Sequence, residues 1–407
     1  MASRKEALTR RTLLTSAAAA AASTLLPRRS AHATSKAKLK IGLLLPFSGT
    51  YAALGASISD GMKLAARDHQ DRLGGREIEW VVNDAESDPT KTKAKTRQLV
   101  SVDKVDILTG PVHSGVCAEM LAVVRETHTL TIVTNAGMQE ATGSLCAPHV
   151  FRTSFSNWQT SYPCGRVVLR DGHRRVALMY WDYIFGIESM RAFKESFQDG
   201  GGTIVNEIPI PFPSEDFAPF LSRLDVSRPE ANRPDAVFVF FAGRGAAKFI
   251  EAYAAAGLRE KMPLYGSGFL TEGVRHVGGS AAEGIKTTLH YADALDNHVN
   301  QKFRAAFKKA YSREADVYAV QGYDTVNLLA QALDKVQGDT GAQGELIAAL
   351  ENARLHSPRG PFRFSAAHNP IQNVYLRQIV GGRELFLGVA QQDAEDPATG
   401  CKMIAAR

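Results

Sequence analysis

Short apolar runs alternate with helix-period stretches along most of the chain. Residues 38–45 read as a first strand, buried on both sides beyond Lys40, because Ile41-Gly42-Leu43-Leu44-Leu45 offers no polar position. Residues 56–70 follow with Ile58, Met62, Leu64, Ala65 and Ala66 at helical spacing. The unit then repeats as strand 77–82, helix 90–102, strand 106–108, helix 115–128 and strand 131–134. A second series begins after Phe151-Arg152-Thr153. It runs helix 160–171, strand 175–180, helix 185–199, strand 203–209, helix 217–225, strand 236–241, helix 245–256 and strand 263–266. Alternation of this kind means βαβ crossovers and parallel sheets covered on both faces. Two such series, each about 120 residues, predict an α/β protein of two Rossmann-like lobes. Helices 297–311, 317–336 and 343–353 and a hairpin-like pair around 362–364 and 374–380 are shared between them, and the polar tail from Gln391 is expected to be loose.

The first 33 residues differ in character: Thr9-Arg10-Arg11-Thr12-Leu13-Leu14 opens an Ala-rich apolar run, and Ala31-His32-Ala33 has small residues at cleavage-site spacing. The apolar run falls short of the ~20 residues of a membrane span, so it reads as an export signal of the twin-arginine type, cut after Ala33. Its removal takes Arg4, Lys5, Arg10, Arg11, Arg28 and Arg29 against Glu6, and leaves 42 basic and 41 acidic residues out of 48 and 42. The formal charge of +6 therefore belongs mostly to the signal, and no basic stripe for nucleic acid remains. An exported chain meets oxidising conditions; Cys146 and Cys164 flank one segment closely enough to be the expected disulfide, with Cys117 and Cys401 apart.

Enzyme motifs fail on spacing. GxxxxGK[ST] and HExxH are absent, Ser114 has Val112 two residues before it rather than the Gly of a nucleophile elbow, and Gly243-Arg244-Gly245 runs into Ala246-Ala247-Lys248 rather than completing GxGxxG. Asp84-Ala85-Glu86-Ser87-Asp88-Pro89 reads as a capped turn before a helix. No cofactor, metal or catalysis is expected. Ligands of open parallel sheets sit in the strand-to-helix turns, here Pro46-Phe47-Ser48-Gly49-Thr50-Tyr51, Gly110-Pro111-Val112-His113-Ser114-Gly115 and Asn135-Ala136-Gly137-Met138. Ser114 lies at the cap of helix 115–128, where free N–H groups and the helix dipole can hold a carboxylate, or where its hydroxyl simply caps the helix.

The chain resembles the periplasmic leucine/isoleucine/valine-binding proteins, the type I solute-binding components of ABC transporters, along almost its whole mature length. The matching residues are Ile41-Gly42-Leu43-Leu44-Leu45-Pro46-Phe47-Ser48-Gly49, Gly61-Met62-Lys63-Leu64-Ala65, Asn83-Asp84-Ala85-Glu86-Ser87-Asp88-Pro89, Phe151-Arg152-Thr153, Phe185-Gly186, Ala254-Ala255-Ala256-Gly257-Leu258 and Ala282-Glu283-Gly284. The resemblance implies two lobes joined by a three-segment hinge that close on a small ligand. Lobe 1 would take residues 38–155 and 285–365, lobe 2 residues 156–284 and 366–390, with 391–407 as tail. It also implies a soluble monomer in the periplasm that delivers its ligand to ABC permease subunits in the inner membrane.

By position, the family's ligand carboxylate would meet Ser114 and the turn Ala136-Gly137-Met138, with Met138 at the second hydroxyl-bearing position. The acidic residue that holds a ligand ammonium falls at about Gly268, and the preceding aromatic near Ala242-Gly243-Arg244. Neither Glu nor Asp occurs between Leu264 and Leu270. Burying an ammonium without a carboxylate costs several kcal/mol, so an α-amino acid is disfavoured. Arg244 offers a cation instead, and Phe47, Tyr51, Trp181, Tyr183, Phe185, Phe269 and Tyr318 offer aromatic walls. Leu54, His113, Asn157 and Gly243 complete the candidate set. An aromatic or apolar carboxylate is the expected ligand; hydrophobic amino acids, amides or urea, or a sensory role feeding a membrane receptor, are the alternatives.

Overall fold

The computed structural model describes residues 37–224, 233–272 and 279–405. The expected export signal at 1–33 and the end of the expected helix 217–225 lie outside the described residues. Among these, no helix is long and apolar enough to cross a membrane.

The all-apolar run becomes β1 (Leu39–Leu45), sandwiched between β3 (Arg76–Asp84) and β4 (Ile107–Gly110), parallel to both. The short β2 (Arg72–Leu73), β5 (Thr131–Val133) and β6 (Val150–Arg152) complete a sheet of order β2-β3-β1-β4-β5-β6. The helices between them are α1 (Ala52–Asp68), α2 (Pro89–Arg97) and α3 (Ser114–Thr127). Asp88 caps α2 by accepting from the Thr90 N–H at 2.9 Å, as the turn chemistry predicts.

The second lobe is built on β7 (Arg175–Asp182), β8 (Thr203–Pro211), β9 (Ala236–Phe240), β10 (Leu264–Ser267), β11 (Lys286–Leu289), β12 (Arg363–Phe364), β13 (Pro370–Val380) and β14 (Arg383–Ala394). Its order is β12-β13-β11-β10-β9-β7-β8, with β14 beside β13. Helices α4 (Asn157–Arg170), α5 (Ile184–Asp199), α6 (Ala218–Leu221) and α7 (Gly243–Ala255) belong to it. Helix α8 (His298–Tyr311), α9 (Val317–Lys335) and α10 (Gln343–Glu351) return to the first lobe, where α9 packs along α1.

The chain thus changes lobe near 153–156, 290–297 and 352–362. Buried polar groups tie these passages: Arg359 pairs with Asp324 at 3.0 Å and donates to the Ser154 carbonyl at 2.8 Å, while Thr153 and Thr325 share a 2.7 Å hydroxyl contact.

Four expectations need correction. First, β11 hydrogen-bonds in the second sheet and β12 pairs with β13, so the first-lobe segment drawn as 285–365 begins after Leu289 and ends before Arg363. Second, β13 takes its long antiparallel partner from β14, which fills the stretch between the expected hairpin pair and the tail and runs into the tail's first residues. Third, the tail is not loose. Gln159 donates to the Ala394 carbonyl at 2.7 Å, Asp396 and Ala398 are buried, and α11 (Lys402–Ala405) follows. Fourth, the disulfide joins Cys146 to Cys401, with Cα atoms 5.5 Å apart, and leaves Cys117 and Cys164 buried as thiols. Cys164 sits on α4 inside the second lobe, packed on the Gly266 carbonyl, whereas Cys146 lies on the first-lobe loop that the tail reaches.

Candidate functional site

Six strand-to-helix turns and the start of α9 converge on one cavity. The turn after β1 supplies Tyr51 and Leu54, that after β4 Val112, and that after β5 Asn135; α9 adds Tyr318. From the second lobe come Tyr183 and Phe185 after β7, Phe240 and Ala242 at the end of β9, and Phe269 after β10. About 230 Å³ of atom-free space lies among them. Part of that volume is open to solvent, and the centre of a water-sized body reaches only about 10 Å³ of it, so the walls stand close together and must part to admit a ring.

None of these lining residues carries a charge, and six of the ten are aromatic. Phe185 stacks on Phe240 with ring centroids 3.9 Å apart, and Phe269 meets Phe185 edge-on at 5.7 Å. Helices α1, α5 and α7 start at this cavity behind Tyr51, Tyr183 and Ala242, and none of those caps satisfies the helix's first N–H groups with its side chain. The first N–H groups of α1 turn instead to the Gly49 and Tyr51 carbonyls, and the positive dipole ends of three helices lie at the cavity wall without a formal cation among the lining residues. The Tyr318 hydroxyl is buried there with no hydrogen-bond partner.

The lobes meet across this cavity. The Tyr51 and Tyr183 hydroxyls are 2.8 Å apart, and the His113 ring stacks on Tyr183 at 4.5 Å. Burial raises both phenols above their ordinary range and pushes His113 down to about 4, so all three are neutral near pH 7. On the same side Glu188 of α5 accepts the Gln139 N–H at 3.0 Å and the Asn157 amide at 2.6 Å.

Of the residues expected from the sequence, Tyr51, Leu54, Tyr183, Phe185, Phe269 and Tyr318 line the cavity. Gly243 packs beneath it, with space for a Cβ only 3.3 Å from Leu54. His113, not Ser114, caps α3: its Nδ1 accepts from Gly115 at 3.1 Å and from Val116 at 3.4 Å. Ser114 is the first residue of the helix, and its hydroxyl is fully buried without a partner.

Ala136, Gly137 and Met138 form a packed turn: Arg152 takes the Ala136 and Met138 carbonyls and the Asn157 N–H takes that of Gly137. Phe47 is half-buried outside the cavity. Trp181 is core, donating its indole N–H to the Ser214 carbonyl at 2.9 Å. Arg244 points to solvent and pairs with Glu215 at 2.8 Å, so it is no cation of the cavity.

Gly268 leaves no space for a side chain; a Cβ would stand 2.4 Å from that of Leu289 and 2.6 Å from an Arg377 nitrogen. Four lining residues fall outside the expected set: Val112, Asn135, Phe240 and Ala242. Val112, Asn135 and Ala242 each neighbour an expected residue, and Phe240 ends a strand where composition does not separate wall from core.

A sequence model described as periplasmic binding protein matches residues 38–383. The chain belongs to the periplasmic binding protein family. Among curated proteins this family member is 31% identical over 359 residues to Leu/Ile/Val-binding protein homolog 6 of Brucella melitensis, covering 86% of this chain and 90% of that one. Among solved structures it is similar to an ABC transporter solute-binding protein of R. palustris in complex with benzoate, at 45% identity and a TM-score of 0.86, over 90% of this chain and 99% of that one. A second, from Rhodopseudomonas palustris BisB5 in complex with 3,4-dihydroxy benzoic acid, shares 31% identity and a TM-score of 0.82 over 89% and 99%.

Proposed function

We propose that this periplasmic binding protein captures a one-ring aromatic carboxylate between its lobes and presents it to the permease of an ABC importer, after export by its N-terminal signal. The observation that carries the reading is the cavity itself: aromatic, free of charged side chains, and set at three helix N-termini that no side chain caps. Aromatic rings stack a ligand ring, and the helix ends hold its carboxylate. Arg377 behind Gly268 stands where an amino acid would need an anion. The R. palustris proteins solved with benzoate and with 3,4-dihydroxy benzoic acid support the same ligand class. The role is binding; closure of the lobes is the working step, and the ligand leaves unchanged.

A thermal-shift and calorimetric screen of residues 34–407 tests this. Benzoate at 100 times its dissociation constant is expected to add about 2.7 kcal/mol to stability, and leucine nothing. A shift with leucine and none with benzoates would overturn the reading, as would recovery of a chemically altered benzoate after incubation.

A further inference from the structure

The cavity aromatics are not equivalent. Tyr51, Phe185, Phe240, Phe269 and Tyr318 are buried, whereas Tyr183, which also lines the cavity, is half-buried. Its neighbour Phe212, at 4.9 Å between centroids, is half-buried too. The Tyr183 ring is therefore the most exposed part of the aromatic lining. It is held from both lobes: the first provides the Tyr51 hydroxyl and the His113 ring, the second Phe212 and Phe240.

The geometry points to Tyr183 as the residue that sets ligand length, closing the cavity behind a benzoate and excluding a ring whose carboxylate is carried on a longer chain. The inference rests on the aromatic-carboxylate reading and adds the limit on size. A ligand such as 3-phenylpropanoate needs space for two more methylenes, and the wall that would have to move is fixed by a hydrogen bond and a stacked ring from the opposite lobe. Moving it separates the lobe contacts that closure makes, so an overlong ligand weakens closure itself. The phenol hydroxyl contributes to holding the wall; the ring is the wall.

Calorimetry with benzoate and 3-phenylpropanoate, on the wild type, Tyr183→Phe and Tyr183→Ala, separates these roles. The wild type is expected to prefer benzoate by about tenfold or more. Tyr183→Ala should reduce that ratio by about tenfold or more, because the cavity then opens outward. Tyr183→Phe keeps the ring, so the ratio should stand while both ligands weaken by roughly 2- to 10-fold from the lost hydroxyl contact. Should the alanine variant fail to fold, Tyr183→Leu carries the same comparison. An unchanged ratio in the opened variant, or no preference in the wild type, overturns the proposal while benzoate binding stands. A wild type that binds neither compound overturns the aromatic-carboxylate reading and this proposal with it.

Discussion

The guanidinium of Arg377 donates to the Gly268 carbonyl at 2.7 Å and fills the space a side chain at 268 would need. Arg377 is buried, paired with Glu272 at 2.8 Å and Glu384 at 2.9 Å, so the acid next along this loop is committed to it. The missing carboxylate at 268 is thus a consequence of packing: glycine is required there because backbone and cation approach so closely.

Gly268→Ala is accordingly expected to destabilise the protein by about 1–3 kcal/mol through overpacking. Gly268→Asp should not create leucine binding, since the new carboxylate would meet Arg377 instead of a ligand ammonium. Urea titration checks the first and calorimetry the second; a stable Gly268→Asp variant that binds leucine would show that Arg377 yields its place.

The two lobes and four of the six strands of the first sheet were legible because β1 is apolar without interruption and the helices beside it keep a clear period, whereas β2 and β6, of two and three residues, are too short to show one. The turns holding the site were legible for the same reason, as strand ends next to small residues. Which residue of a turn faces inward was not, since Val112 rather than Ser114 lines the cavity and Ala242 rather than Arg244; backbone dihedrals decide this, and composition is silent on them. Arg244 looked like a cleft cation only while Glu215, held 2.8 Å away from another loop, was out of view. Cys146 and Cys401 are 255 residues apart, and no local pattern connects them.

That disulfide fastens the tail, which leaves the second sheet at Ala394, to a loop of the first lobe, and so adds a fourth passage beside the three crossovers. Cys401→Ser is expected to cost about 2–5 kcal/mol, because the bond closes a long loop in the unfolded chain. Denaturation of the oxidised wild type, the reduced wild type and the variant measures it. Equal midpoints for all three would mean that the non-covalent contacts of Ala394, Asp396 and Ala398 hold the tail unaided.

Ser114 presents a buried hydroxyl without a partner, beside an α3 terminus that His113 already caps. Removing such a hydroxyl breaks no contact of the free protein, so Ser114→Ala should leave the unliganded melting temperature nearly unchanged. If the hydroxyl donates to the ligand carboxylate, benzoate affinity falls by about 1–3 kcal/mol. Calorimetry beside a melt separates the two readouts, and a variant that loses stability but not affinity would make Ser114 a packing residue.

Glu188 gives a pH dependence with a defined sign. Burial pushes its carboxyl up from 4.5 to about 7, against the opposing effects of the Gln139 N–H, the Asn157 amide, Arg152 and Arg191. Between those two values the folded protein binds more protons at this site than the unfolded chain, so this contribution to stability is fully present below pH 4.5 and is lost as pH rises through about 7. The full gap corresponds to roughly 3 kcal/mol as an upper bound. Asp316 and Asp324, both raised to about 6, act in the same direction and are common to wild type and variant, so they cancel in a comparison of the two. Glu188→Gln keeps an oxygen to accept from Gln139 and Asn157 but does not titrate. Urea midpoints at pH 5 and pH 8 should therefore fall more steeply with pH in the wild type than in the variant, and parallel declines would mean that Glu188 ionises in the folded protein near its ordinary value.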